Sequence, residues 1–357
     1  MGIKVIGKNC WQKLKRNVFG AFAFLFSFTV VITFISITLS RNAAIHSLKS
    51  EIAGIIADLN EVDADIAYDQ ISFNNIFIYP LIKIENLQIY NLKGSSLWKI
   101  KFPEISGRPK LFGFGKINLR AGNTAEISID KDTYQISLGS AKTIIELQKN
   151  GNIKELQTYL KNIQIKDFAK IKSLTFVSRR LNQAMATRIL TPAFESHLEV
   201  KNFKFNGLID YPLAAEIQRI YAKFNLMGNI GDGDTFLLAA ENWLKSGGFI
   251  EIPSVFVNWA PLLLVGRGDI SFDEKFAPKL QLQTSSKAML ELLNDMQAKS
   301  YLDRKGVFVA NILLNAKAFK LHNDDKYLTI ATPITYRDNK LAVENITIKT
   351  LPPQNGQ

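Results

Sequence analysis

The chain has little of what catalytic and metal-dependent proteins commonly use. Its 357 residues include one cysteine, Cys10, which excludes an intrachain disulfide and any cysteine-based zinc site. The three histidines, His46, His197 and His322, form no i, i+4 pair, and no serine sits in a G-x-S-x-G elbow. All three are therefore read as structural: His46 in a helix, His197 at the start of a strand, His322 beside Asp324 and Asp325 in a turn. Asp232-Gly233-Asp234 lacks the spaced ligands and terminal Glu of a calcium loop and reads as a turn feeding a helix cap. Gly266-Arg267-Gly268-Asp269 lacks the third glycine and the Lys-Ser/Thr pair of a phosphate loop, and reads as a hairpin turn. The expectation is a non-enzyme with no catalytic residue, no metal ligand and no cofactor.

What is present in quantity is apolar surface and positive charge. Hydrophobic residues make up 47% of the chain, enough for a core, and 44 Lys+Arg against 32 Asp+Glu leave a formal charge of +12. From Val18 to Leu39 no side chain is ionisable, and this run matches the roughly 20 residues that cross a bilayer core. It reads as a transmembrane helix. Lys4, Lys8, Lys13, Lys15 and Arg16 precede it and only Arg41 and Lys49 follow closely. The positive-inside bias then puts residues 1–17 in the cytoplasm as a basic tail, with Lys13, Lys15 and Arg16 as candidates for lipid-headgroup contact. A cleavable signal peptide is the rival reading, disfavoured because the run exceeds the roughly 7–15 residues of an h-region and no A-x-A site follows.

Beyond the span, residues 40–65 read as an amphipathic juxtamembrane helix, with Ile45, Leu48, Ile52, Ile55, Ile56 and Leu59 at spacings of three and four. From Ile66 the period becomes two: Ile82 and Ile84, Leu87 and Ile89, Ile100 and Phe102, Ile127 and Ile129, Ile136 and Leu138, Leu198 and Val200, Phe203 and Phe205. Such runs, bounded by Gly, Pro, Asn or Asp, predict half-buried antiparallel strands. Asn150-Gly151 suggests a hairpin turn, while Ile153 to Leu160 is compatible with either strand or helix. Helices are predicted over Thr235 to Ser246, capped by Asp234 and ended by Gly247-Gly248, and from Ser285 to Gln297. Val307 to Leu314 reads as a strand. The fold class is thus mainly β with a few helices, an elongated antiparallel sheet or groove over residues 66–350, with a soft boundary near 178–191 and a short tail at 351–357.

Phe73 to Arg120, with Tyr79-Pro80-Leu81, Leu97-Trp98-Lys99-Ile100 and Gly115-Lys116-Ile117-Asn118-Leu119, resembles the N-terminal region of AsmA-like envelope proteins. Trp243 to Gly248, Ile250 to Pro253, Trp259-Ala260-Pro261-Leu262, Gly266 to Ile270 and Leu351-Pro352-Pro353 are similar to the landmarks of a proteobacterial domain-of-unknown-function family whose members carry an N-terminal membrane anchor. The resemblance implies a single-pass protein of the bacterial inner membrane with a periplasmic body, and its AsmA-like side implies lipid movement or outer-membrane assembly. Its motifs are packing and turn residues and bring no catalytic signature.

Two readings of function follow. In the first, the sheet holds lipid or another hydrophobic ligand in envelope biogenesis, with Ile129, Ile136 and Phe205 as candidate groove positions and membrane lipids as partners. In the alternative, the sheets are filled by their own side chains and the chain is a non-catalytic assembly factor that binds another envelope protein. Lys161, Lys166, Lys170, Lys172, Arg179 and Arg180 are the densest basic stretch, read first as a solvated strand face. Nucleic acid is not an expected partner, because the basic residues carry no interleaved aromatics and the body is expected outside the cytoplasm.

Overall fold

Alternation of apolar and polar residues becomes a succession of antiparallel ladders. The computed structural model describes residues 65–74, 81–91, 98–109, 115–129, 132–148, 153–181, 191–206, 214–228, 236–273, 277–299, 304–319, 328–344 and 346–350. The expected basic tail, transmembrane span and juxtamembrane helix lie outside these residues, as do Lys13, Lys15, Arg16, His46, His322, Asp232 to Asp234, Asn150-Gly151 and the 351–357 tail. Among the described residues there are seventeen strands and three helices, so the chain is mainly β, and none of those helices is long and apolar enough to cross a membrane. The chain divides into two compact units, one of residues 1–136 and 141–158 and one of residues 137–140 and 159–357.

The first unit contains β1 (Asp65–Ala67), β2 (Gln70–Asn74), β3 (Leu81–Asn91), β4 (Trp98–Pro109), β5 (Lys116–Ala121), β6 (Thr124–Ile129), most of β7 (Asp132–Leu147) and the start of β8 (Ile153–Ile165). Its register sets apolar residues opposite one another: Leu87 faces Phe102, Ile89 faces Ile100, Ile100 faces Ile127 and Ile117 faces Ile145. These pairs stack on one side of the pleat. Phe102 keeps 1% of its surface exposed, and Ile100, Ala125, Ile136, Ile145 and Leu156 are equally enclosed. Each of the larger of these side chains contributes about 1.5–3 kcal/mol by leaving water. A polar pair interrupts this interior, where the Thr143 and Thr158 hydroxyls bond at 3.2 Å, so neither is buried without a partner. The same bond, with Lys154 to Glu146 at 2.7 Å, links β7 to β8, and Ile153 to Leu160 is strand, part of β8.

The second unit is a meander. After the end of β8 come β9 (Ala169–Arg180), β10 (Pro192–Phe205), β11 (Glu216–Met227), β12 (Phe249–Trp259), β13 (Leu262–Phe272), β14 (Pro278–Lys287), β15 (Thr329–Arg337), β16 (Lys340–Val343) and β17 (Ile346–Thr350). From β9 onward each strand pairs antiparallel with the next. Helix α1 (Phe236–Lys245) is inserted between β11 and β12, and α2 (Met289–Ala298) and α3 (Arg304–Lys317) between β14 and β15. Trp243 fastens α1: its Nε1 donates to the Met227 carbonyl at 2.6 Å and its ring meets Phe272 edge-on at 6.3 Å. The indole lies where a Cβ on Gly248 would stand, so glycine is required there by contact. Trp259-Ala260-Pro261-Leu262 is the β12–β13 turn, with Trp259 Nε1 donating to the Ala214 carbonyl at 2.5 Å.

Three sequence expectations are corrected. Gly266 to Asp269 is not a turn but the middle of β13, paired on both sides, with Gly268 opposite Ile252 and Leu282. A Cβ at Gly268 would overlap the backbone carbonyl of Gln281, so these glycines serve close strand approach and not chain reversal. Ser285 does not open a helix; β14 runs on to Lys287 because both its neighbours hold it in register, and α2 begins after Ala288, which has φ 60. Val307 to Leu314 is not a strand but the centre of α3, where Val307 and Leu314 are fully buried seven residues apart on one helical face. Its composition, partly β-branched and apolar at every position but Asn311, carries no clear helical period.

Candidate functional site

The register of the second unit lines its side chains into rows running across the strands. One row is Leu174, Val200, Ile220, Val257, Leu264, Ser286 and Ile330; the next is Phe176, Leu198, Ala222, Val255, Gly266, Thr284 and Thr332. A third joins Phe194, Leu226, Ile250, Ile270, Leu280 and Tyr336. By alternation these rows share one face of the sheet. That face is apolar but incompletely covered: Phe176, Leu198, Ile220, Phe224, Leu226, Val255, Val257, Ile270, Leu282 and Ile334 are all only half-buried. Phe176 and Phe224 stack across the intervening strand at 6.1 Å.

The opposite face is a charged surface. Glu199 pairs with Arg219 at 2.7 Å and Lys201 at 3.0 Å, Lys223 pairs with Glu195, and Asn225 donates to Glu251 at 2.8 Å. Arg219 lies 5.8 Å from the centroid of Tyr221, which stacks on His197 at 6.3 Å. Burial pushes the Glu199 carboxyl up, but the Lys201 hydrogen bond and the charges of Lys201 and Arg219 outweigh it and hold it below the ordinary range. Lys161, Lys166, Lys170, Lys172 and Arg179 are exposed, and Lys170 stands opposite Lys204.

At one end of the apolar face, helices α2 and α3 close it with Met289, Leu290, Leu293, Val307 and Leu314, packed on Leu262, Ile330 and Val343. Beside this cluster is a cleft of about 560 Å³ lined by Gly266, Thr284, Thr332, Lys317 and Glu344 among others. The missing side chain at Gly266 deepens it: Thr284 Cγ2 and Val255 Cγ1 stand within 3.0 and 3.3 Å of the place a Cβ would take. Thr284 Oγ1 donates to the Thr332 carbonyl at 2.8 Å, Thr332 Oγ1 donates to Glu344 at 2.6 Å, and Lys317 Nζ donates to Glu344 at 2.7 Å. Burial raises the Glu344 carboxyl, yet these two hydrogen bonds and the Lys317 charge prevail and keep it ionised below its ordinary value. The cleft thus joins apolar rows to a polar end that carries the Lys317–Glu344 ion pair, and Arg267 is also among its lining residues.

The three sequence-derived groove positions fall in different units. Ile136 is a fully buried core residue of the first unit and Ile129 ends β6 there half-buried. Phe205 is buried in the second unit against Phe203, Phe168 and Trp259, at centroid distances of 4.6, 6.5 and 6.1 Å. The incompletely covered positions are others of the same type, Phe176, Leu198, Phe224 and Leu226. Their alternation was visible in the sequence; the sequence carries no local signal for which alternating residues a second layer covers. Among the described residues no group of His, Cys, Asp or Glu is placed to hold a metal ion. No protein-family model matches the chain, and no curated protein matches it significantly.

Proposed function

We propose that this chain is an anchored, AsmA-like periplasmic protein that holds lipid, or another long hydrophobic molecule, along the apolar face of its second unit in envelope biogenesis. The observation that carries the reading is the contrast between the two faces of one meander. One is covered in ion pairs, and the other carries half-buried apolar side chains, among them Phe176, Leu198, Phe224, Leu226, Val255 and Ile270, interspersed with fully buried ones such as Leu174 and Val200. Apolar surface of that extent is costly to leave in water and marks a binding region. Acyl chains match it: they need continuous apolar contact and no fixed hydrogen bonds. The nearby Thr284, Thr332, Lys317 and Glu344 offer a polar terminus for a head group. The sequence-derived anchor, Val18 to Leu39, supplies the membrane attachment in this reading.

The test uses the intact chain in cells. A photo-activated benzophenone side chain in place of Phe224, on the apolar face, is expected to yield lipid adducts identifiable by mass spectrometry, whereas the same group in place of Tyr221, on the charged face, yields none. Absence of adducts at Phe224, Leu198 and Leu226 with the protein folded and exported would favour the assembly-factor alternative.

A further inference from the structure

Helix α3 buries one side and leaves the other uncovered, although both are apolar. Val307 and Leu314 point into the core beside α2, while Phe308, Val309, Ile312 and Leu313 are 64%, 44%, 56% and 42% exposed. Spacings of three and four place these residues on one outward side, with Lys305 one turn before Phe308 and Val309 on the same side. An amphipathic helix packed on a protein normally turns a polar face to water; this one turns a second apolar face. The helix RKGVFVANILLNAK contains no carboxylate, and Arg304 and Lys305 at its start are exposed, with no carboxylate partner among the described residues. Its third cation, Lys317, is held by Glu344.

We infer that the outward side of α3 is a membrane-docking surface whose occupant is an anionic lipid bilayer. Aromatic and branched apolar side chains enter the acyl boundary while Arg304 and Lys305 lie at the level of the phosphates, the arrangement by which interfacial helices bind. Within a helix of 14 residues, the strip from Lys305 to Leu313 gives a contact of about two and a half turns. Charge complementarity selects the occupant, since a cationic end with no carboxylate partner among the described residues, beside an apolar strip, matches an anionic lipid surface. The inference stands apart from the lipid-holding reading, because the outward side of α3 is not part of the apolar sheet face. The two are nonetheless adjacent: Lys317, at the end of α3, lines the cleft with Thr284 and Thr332.

The experiment uses the full chain carrying Cys10→Ser, reconstituted into vesicles of phosphatidylcholine with phosphatidylglycerol, with one bimane label at Ile312→Cys or, as reference, at Gln281→Cys on the charged sheet face. Lipids bearing a spin label in the upper acyl chain are expected to quench the fluorescence at 312 and leave 281 bright. Adding Arg304→Glu and Lys305→Glu, or omitting phosphatidylglycerol, is expected to restore the signal at 312. A label at 312 quenched by aqueous iodide and not by lipid, in protein with unchanged thermal melting, would overturn the inference. So would a label shielded from both quenchers or cross-linking to a second copy, which would assign the surface to protein. Since the Phe224 adducts report on the sheet face alone, either result leaves the other interpretable.

Discussion

The two units treat the same pattern differently. In the first, strand faces such as Leu87, Ile89, Ile100, Phe102 and Ile127 are enclosed to the last few per cent of their surface. In the second, a row of similar residue types, Phe176, Leu198, Ala222 and Val255, runs across four strands and remains half-buried. Alternation therefore specifies a face, and a separate set of contacts decides whether that face is finished. Where helices supply those contacts, as α2 and α3 do over Ile330 and Val343, the second unit has an interior as dry as the first.

Charge substitution breaks the comparison most sharply. Phe102→Asp would bury an unpaired carboxylate and cost at least about 4 kcal/mol, enough to abolish cooperative unfolding of the first unit in a denaturant titration. Leu198→Asp in the half-open rows should cost about 1–2 kcal/mol, because water reaches the new charge. Equal losses at the two sites would mean that the second face is closed in solution. Next in size is a pair within α3: Leu314→Ala should cost about 2–5 kcal/mol and Ile312→Ala less than about 0.5. In a strand these residues, two apart, would share a face and respond alike, so the difference checks the helix itself.

Gly268→Ala should cost about 1–3 kcal/mol by pushing β13 away from the Gln281 carbonyl, with a fall in melting temperature as readout. The smallest effect is electrostatic. Because Glu344 is held below its ordinary value of 4.5, the unfolded chain takes up protons before the folded one as pH falls. Its contribution is complete above about pH 4.5 and is lost progressively below it. Glu344→Gln should flatten the decline of melting temperature in that window by an amount corresponding to about 1 kcal/mol or less, since Lys317 is half-exposed. Glu199, lowered by Lys201 and Arg219, titrates in the same direction, so the residual slope in Glu344→Gln should fall further when Glu199→Gln is added.

Much of the architecture was legible because it is local. Period-two runs located most strands, and the Asp234 and Gly247-Gly248 signals bracketed α1 to within a residue or two of its observed ends. Failures occurred where tertiary partners outvote local signals. Ser285 is a good helix cap, but ladders to β13 and β15 extend the strand past it. Gly266 and Gly268 look like turn residues until close neighbours on both sides explain them. Val307 to Leu314 has apolar residues on every side, so its period was hidden by the outward strip that makes α3 unusual. The candidate site was legible only as a type of residue: Ile136 and Phe205 alternate as faithfully as Leu198 and Leu226, and coverage is a property of the layer above.

The rows have a further consequence, which concerns length. Seven strands at a spacing of about 4.8 Å span roughly 29 Å, of which α2 and α3 cover the end that holds Ile330. Because every strand from β9 onward pairs with its neighbour in the chain, inserting one hairpin would lengthen that span by about 10 Å and leave the existing register untouched. Reach is therefore a quantity this architecture counts in whole strands and, under the proposed lipid-holding role, the number of strands left uncovered by helices would set how long an apolar chain fits end to end.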